Sequence, residues 1–420
     1  MDIKAKIDEF RSGFTRTFWV ANVLELFERF AFYGSKAVMA VYLADQVGLG
    51  LTSQKLMSFY GLAVFGLPVL AGPVVDRFGF KKSLTACFSI FATGYFLIGL
   101  AGLPQGRPLI DALGPKLYVF LALLVTAIGG SLIKPCIVGT VAKSTTPETK
   151  ALGYSIYYSL VNFGGALGPI LALFVRKTYG VQNVFVVFAG VSLALAVATL
   201  VFFREPIVAE EEKRSFGKVL KDAALVFTNA RFITFLAIFS GFWIMFWQVF
   251  LTLPVYAIEV LKFEKYELLE TADAWTIFAL TVPVTALANK LRPLAAMTIG
   301  FALASASWLI LAAWASWQGV VLGLILFALG EMLQAPRFYE YVADLAPKDQ
   351  VGTFMGFAFL PVAVGYFIAG WFVSPYLIQH YIRDLKQPGG MWVFLSVLGF
   401  GSTALMLLYD RFLGPKKLKE

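Results

Sequence analysis

One histidine and two cysteines in 420 residues leave almost nothing with which to build a metal centre or a disulfide framework. The histidine, His380, reads as part of an outer loop, so HExxH zinc chemistry is impossible and a Ser-His-Asp triad has no base inside the apolar segments. Cys87 and Cys136 both fall in apolar stretches, and no glycine-rich loop ending in Lys-Ser or Lys-Thr is present to cradle a nucleotide phosphate. The expectation is a protein that is not an enzyme, holds no cofactor or metal, and is not driven directly by ATP. Charge is scarce as well: 15% of the residues are charged, against roughly a quarter in an ordinary soluble domain. With 59% of the chain hydrophobic, a water-soluble core has no means of hiding that much apolar surface.

What is abundant is apolar sequence in runs of about 20 residues, the length that crosses a ~30 Å hydrocarbon layer. Spans are predicted at 17–45, 54–75, 83–103, 117–142, 151–175 and 183–203, then at 232–258, 268–288, 293–314, 319–343, 351–375 and 390–410. They must be helices, because a lipid-exposed backbone has to satisfy its hydrogen bonds within the segment, and the ~10-residue alternation of barrel strands is missing. With the N-terminus inside, most of the 35 Lys and Arg residues fall in inner loops and tails, so both termini are assigned to the cytoplasm. The net charge of +9 is then mostly topogenic, and no nucleic-acid partner is expected. The polar start, with Lys4, Lys6, Asp8 and Glu9, leads into a segment interrupted by Glu25, Glu28 and Arg29. A cleavable signal has an uninterrupted apolar centre, so this segment reads as a mature span. The prediction is an all-α membrane protein with twelve transmembrane helices, in the cell inner membrane, surrounded by lipid and monomeric.

The longest inner loop, 204–231, carries Glu210, Glu211, Glu212, Lys213, Arg214, Lys218 and Lys221 and leaves six spans on each side. The expected organisation is an N-terminal six-helix bundle over 1–203, a cytoplasmic linker over 204–231 and a C-terminal six-helix bundle over 232–420. Within the linker, 216–228 has the pattern of an amphipathic surface helix, for which a plain solvated helix is the simpler reading. Between spans 2 and 3 stands Gly72-Pro-Val-Val-Asp76-Arg77-Phe-Gly79-Phe-Lys81-Lys82. It resembles the signature loop of the major facilitator superfamily, and the second half has a degenerate echo in Ala288-Asn289-Lys290-Leu-Arg292-Pro293. In such a loop Gly72 permits close helix approach, while Asp76, Arg77 and Lys81 are expected to act in gating, Asp76 pairing with cations at a neighbouring helix end.

Ionisable groups in mid-span cost about 2.5–3.5 kcal/mol on insertion scales, so they usually line a pathway. In span 1, Glu25, Arg29, Phe32 and Lys36 follow one another at i, i+4, i+7 and i+11 and share a helix face, with Glu28 one step around. Span 4 carries Lys134 before Pro135, span 5 carries Asn162, and span 10 carries Glu331 with Arg337 and Glu340 lower down. The three-residue spacing of Arg337 and Glu340 favours a structural ion pair. Glu25, Glu28, Arg29, Lys134 and Glu331 come from three helices and both halves, which favours function. Asp273, near the start of span 8, fits either the outer interface or the interior.

At these residues the chain resembles a known group. Glu25-Leu-Phe-Glu28-Arg29-Phe30-Ala-Phe32-Tyr33-Gly34 is similar to the ExxERFxYYG motif of the proton-dependent oligopeptide transporters. Gly129-Gly-Ser-Leu-Ile-Lys134-Pro135 resembles their span-4 motif, and Tyr157-Tyr158-Ser-Leu-Val-Asn162-Phe-Gly164 their span-5 motif. Phe242-Trp243-Ile-Met-Phe246-Trp247-Gln248, Gly330-Glu331-Met-Leu-Gln-Ala335-Pro336 and then Leu345-Ala346-Pro347 and Gly356 echo the second half, in family order. The resemblance implies proton-driven uptake of di- and tripeptides by alternating access. It gives Glu25, Glu28 and Arg29 the proton-coupling role. Arg29, Tyr33, Lys36, Lys134, Asn162, Trp243 and Glu331 become substrate-binding, with Lys134 linking proton and peptide carboxylate and Glu331 receiving the amino group.

Five features depart from that family. Phe32 stands where tyrosine is usual, Lys36 where arginine is common, and Ala335 where serine precedes the proline. Span 7 has Phe246-Trp247-Gln248 in place of an acid before the glutamine, which removes a charged gate pair, and 204–231 is too short for two extra helices found in bacterial relatives. The leading expectation is a proton-coupled symporter of short peptides or similar zwitterionic or anionic solutes. The alternatives are a facilitator of a larger amphipathic compound, favoured by Phe32, Trp243, Phe246, Trp247, Phe338 and Tyr339, and an uncoupled membrane protein such as a scramblase or sensor. Ordinary helix packing accounts equally well for those aromatics. With no histidine in the bundle, proton coupling has to run through carboxylates, the Glu25/Glu28 pair exchanging one proton near pH 7.

Overall fold

The computed structural model of the chain describes residues 13–146, 149–206, 226–346 and 351–414, together with 217, 221 and 224. The polar start with Lys4, Lys6, Asp8 and Glu9, the linker charges from Glu210 to Lys218, most of the 216–228 segment, and Pro347 lie outside the described residues. The principal helices are α1 Arg16–Val41, α2 Thr52–Gly66, α3 Pro68–Phe78, α4 Phe80–Leu100, α5 Pro115–Lys143, α6 Lys150–Tyr179 and α7 Val181–Phe202. They continue as α8 Ala230–Phe246, α9 Tyr266–Ala288, α10 Pro293–Ala313, α11 Trp317–Leu345, α12 Leu360–Ile368 and α13 Pro388–Phe412. Among the described residues there is no strand. Among these described residues ten helices are long and apolar enough to cross a membrane, or eleven if α2 and α3 form one span bent by 47°. Helix α1 has 26 residues but carries Glu25, Glu28, Arg29 and Lys36.

Breaks inside the predicted spans have local causes. Span 2 is interrupted at Leu67, because Pro68 cannot donate to the preceding turn and opens a new helix instead. Span 7 is interrupted at Trp247 and again at Thr252, two residues before Pro254, giving two short helices, Gln248–Leu251 and Leu253–Glu259. The eleventh predicted span, 351–375, was expected to end near Pro375, leaving His380 in a loop. Instead the chain stays helical to Asp384, with π-helical turns at Ala369–Val373 and Ile378–Asp384 flanking the proline. A widened turn tolerates the missing N–H, so His380 is helical and stacks on Tyr376 with ring centroids 5.1 Å apart.

The chain forms two compact units, Met1–Val38 with Leu67–Phe216, and Met39–Gly66 with Gly217–Glu420. In the first, α4 packs against both α5 and α7. Helix α6 approaches α1 through small residues: a Cβ on Gly164 would stand 2.4 Å from the Leu26 carbonyl oxygen, and one on Gly168 2.2 Å from that of Phe30. Only glycine permits that backbone contact, the usual way helices associate where no hydrophobic driving force separates them from lipid.

The second unit is built around an aromatic stripe. Phe235, Phe239 and Phe242 recur at i, i+4 and i+7 on α8, so they share a face, and it meets Phe301 of α10 and Phe327 and Phe338 of α11. The segment Met39–Gly66 belongs here because of three contacts. Gln54 Nε2 donates to the Leu251 carbonyl at 3.1 Å, Phe65 lies 5.2 Å from Trp247, and Gly61 leaves room for the Tyr366 ring.

Candidate functional site

The charged stripe of α1 is buried in the first unit: Glu25 is 0% exposed, Glu28 3%, Arg29 5% and Lys36 1%. Such groups leave water only if each finds a partner of opposite sign or a hydrogen bond. Arg29 meets Glu28 in a two-pronged contact, Nε to Oε2 and Nη2 to Oε1 at 2.8 Å. Its Nε also lies 3.5 Å from Glu25 Oε1, one turn back. That same oxygen takes a 2.9 Å hydrogen bond from Lys134 Nζ of α5 and a 3.2 Å bond from the Tyr157 hydroxyl of α6. Lys134 Nζ lies 2.6 Å from the Tyr157 hydroxyl, closing a triangle of acid, base and phenol.

Three helices are therefore pinned at one carboxylate oxygen. The sequence brings Glu25, Glu28 and Arg29 together by helical spacing, and tertiary packing adds Lys134. Tyr157 lies in the span-5 motif, and nothing in the sequence marks it for this role, since a tyrosine within a span reads equally well as packing. Lys134 keeps 23% of its side-chain surface accessible while Glu25 keeps none, and Tyr157 is half-buried, so within this cluster the lysine is the charged group with the largest face available to a ligand. Asn162 spends its amide on its own helix, Nδ2 donating to the Tyr158 carbonyl at 2.9 Å. Tyr33 stands edge-on to Phe32, with centroids 5.3 Å apart.

The signature loop is a tight turn closed by a residue that the sequence reading did not single out. Gly79 takes φ 83° and ψ 167°, a conformation open to glycine, between α3 and α4. Beyond it the first backbone amides of α4 point at Glu205, whose carboxylate accepts from Phe80 N at 2.6 Å and Lys81 N at 2.9 Å. A carboxylate there satisfies orphan donors and faces the positive end of the helix dipole. Asp76 and Arg77 are exposed, Lys81 is half-buried, and a Cβ on Gly72 would meet nothing within 4 Å. No local pattern marks Glu205, which lies 125 residues from Phe80.

In the second unit Glu331 sits on α11 and Asp273 on the neighbouring α9, each with one buried carboxylate oxygen lacking a hydrogen-bond partner. Asp273 is half-buried in its unit. Trp243 packs its Cβ against Gly365 and turns a buried, unpartnered Nε1 inward. Arg337 pairs with Glu340 and donates from Nη2 to the Leu291 carbonyl at 2.6 Å, holding the loop between α9 and α10, as expected of a structural pair. Cys87 and Cys136 are buried free thiols. Among the described residues no group of three or more His, Cys, Asp or Glu is placed to hold a metal ion.

Known proteins are similar to this chain over nearly its whole length. Dipeptide and tripeptide permease A of Escherichia coli is 22% identical, the alignment covering 94% of this chain and 91% of the permease. Multidrug resistance protein MdtH of Yersinia enterocolitica is 25% identical over 88% of this chain and 86% of its own. A crystal structure of a POT family transporter in complex with 5-aminolevulinic acid superposes with a TM-score of 0.77 at 18% identity, covering 96% of this chain and 97% of that one. The model of the Major Facilitator Superfamily matches residues 19–370. With a buried acid–base network on apolar helices, peptide permeases among its relatives and that match over most of its length, the chain belongs to the major facilitator superfamily and is a membrane transporter, not an enzyme.

Proposed function

We propose that this protein is a proton-coupled symporter that moves short peptides, or similar zwitterionic or anionic solutes, across the cell inner membrane by alternating access. The observation that carries this reading is the buried network of Glu25, Glu28, Arg29, Lys134 and Tyr157. Two acids and two bases share it, so a proton arriving at one carboxylate releases a base, and a released base recruits an anion. Lys134, with its accessible face, is the base that meets the substrate carboxylate, and Glu331, with an unsatisfied oxygen, meets the amine. Arg29, Tyr33, Lys36, Asn162 and Trp243 complete the proposed binding set, and Gly72, Asp76, Arg77 and Lys81 the cytoplasmic gate. The driving force is the proton gradient, with no cofactor. The reading includes twelve spans, α1 and the bent α2–α3 pair being added to the ten apolar helices, with bundles over 1–203 and 232–420 joined by a linker over 204–231, both termini cytoplasmic, and a monomer in lipid. Peptide permeases among the relatives support the substrate class.

The test is purified protein in liposomes, loaded to an inward proton gradient and offered labelled dialanine. Accumulation above equilibrium, abolished by a protonophore and by Glu28→Gln while counterflow persists, is the expected result. Accumulation that ignores both treatments removes proton coupling. A second reading, a carrier of larger amphipathic compounds, draws on the aromatic stripe of α8 and on the multidrug resistance relative. A thermal-shift screen separates the two: dipeptides should raise the melting temperature and lipophilic cations should not.

A further inference from the structure

Between Arg29 and Lys36 on α1 stands Phe32, and its ring meets both cations. The Arg29 guanidinium carbon lies 4.6 Å from the ring centroid and the Lys36 ammonium 4.8 Å from it. The spacing i, i+3, i+7 keeps all three on one helix face. Phe32 is 2% exposed, as deeply buried as the charges on either side, and Tyr33 braces it edge-on at 89°. An aromatic face attracts a cation through the ring quadrupole, and the attraction strengthens as the partners are desolvated. Two like charges about two turns apart otherwise repel, and a ring shared by both offsets part of that repulsion. A phenylalanine does this with no added hydroxyl to compete for Glu25 or Glu28.

Arg29 has two acceptors within reach, Glu28 in the two-pronged contact and Glu25 at 3.5 Å. Both are engaged here, Glu28 by hydrogen bonds and Glu25 at ion-pair distance, in a side-chain conformation that lays the guanidinium against Phe32. We propose that Phe32 is a positioning residue, whose ring holds Arg29 and Lys36 by cation–π attraction and so keeps the Arg29 hydrogen bonds on Glu28, leaving those of Glu25 to Lys134 and Tyr157. Weakening the ring lets Arg29 drift to Glu25, where it competes with Lys134, and the coupling of the network is lost before its binding. This inference rests on the proton-coupling reading for its consequence in transport, but not for the attraction itself.

The experiment places mono-, di- and trifluorophenylalanine at position 32 of the full chain by nonsense suppression, a series that drains the quadrupole while nearly preserving shape. Two quantities are read on the purified protein: its melting temperature, and the ratio of gradient-driven dialanine accumulation to dialanine counterflow in liposomes. Both should fall stepwise with fluorine, the ratio by roughly tenfold across the series, the size of a buried cation–π attraction. A flat series in both makes Phe32 an apolar spacer and overturns the proposal, as does a falling melting temperature beside a flat ratio, which confines the ring to stability. If the unmodified chain moves no dialanine, the substrate reading fails by itself, and a flat melting series then overturns the cation–π assignment while a graded one upholds it.

Discussion

Glu25 Oε1 accepts from Lys134 and Tyr157 and lies within ion-pair reach of Arg29, which makes the partners unequal in what their removal costs. Tyr157→Phe deletes the hydroxyl's hydrogen bonds to Glu25 and from Lys134 but leaves the Lys134–Glu25 pair, so the expected loss is about 1.5–3 kcal/mol for each bond, seen as a lowered melting temperature with transport retained. Lys134→Ala leaves a fully buried carboxylate with only the Tyr157 hydroxyl and the more distant Arg29, and breaking such a pair costs about 3–5 kcal/mol; uptake of dialanine should cease, and a variant transporting at the parental rate would take Lys134 out of the site. Glu331→Gln replaces a carboxyl group that has one buried oxygen without a hydrogen-bond partner. Its affinity for a free-amine dipeptide should fall at least about tenfold while that for the N-acetylated analogue stays level, by calorimetry. The acids and bases were legible because a charge in an apolar run is conspicuous; Tyr157 and Glu205 were not, since a tyrosine in a span and a glutamate in a loop are unremarkable until packing assigns their partners.

At the scale of elements, α1 is held by α6 through glycine and α4 is started by Glu205. Gly168→Val would drive a side chain into the Phe30 carbonyl, 2.2 Å from the new Cβ. Overpacking of this kind typically costs about 1–3 kcal/mol, and because α1 carries the charge network, uptake should fall together with melting temperature. A variant that melts lower yet transports normally would separate the α1–α6 contact from function. Glu205→Ala removes two charge-assisted caps from α4, with an expected cost of about 1 kcal/mol, while Glu205→Gln, which keeps an acceptor oxygen, should recover part of it. Helical periodicity marked these elements well, but their breaks less so: Pro68 and Pro254 begin new helices, whereas Pro375 is absorbed by π-helical turns. Whether a proline ends a helix or is accommodated depends on what the neighbouring backbone can rearrange, and composition does not record that.

At the scale of the molecule, green fluorescent protein fused to either terminus should fluoresce and alkaline phosphatase should stay inactive, as the basic inner loops require; phosphatase activity at one end would give an odd number of spans. Hydropathy alone established a polytopic helical membrane protein, because the bilayer leaves a polypeptide few ways to satisfy its backbone. Spacing alone put Glu25, Arg29, Phe32 and Lys36 on one face, because helical periodicity is local. By contrast, the sharing of one Glu25 oxygen by Lys134 and Tyr157, the capping of α4 by Glu205 and the grouping of Met39–Gly66 with the later helices were decided only by the tertiary structure. Each joins residues more than a hundred positions apart, and such partnerships depend on which helix faces pack together, a choice that no stretch of the chain makes by itself.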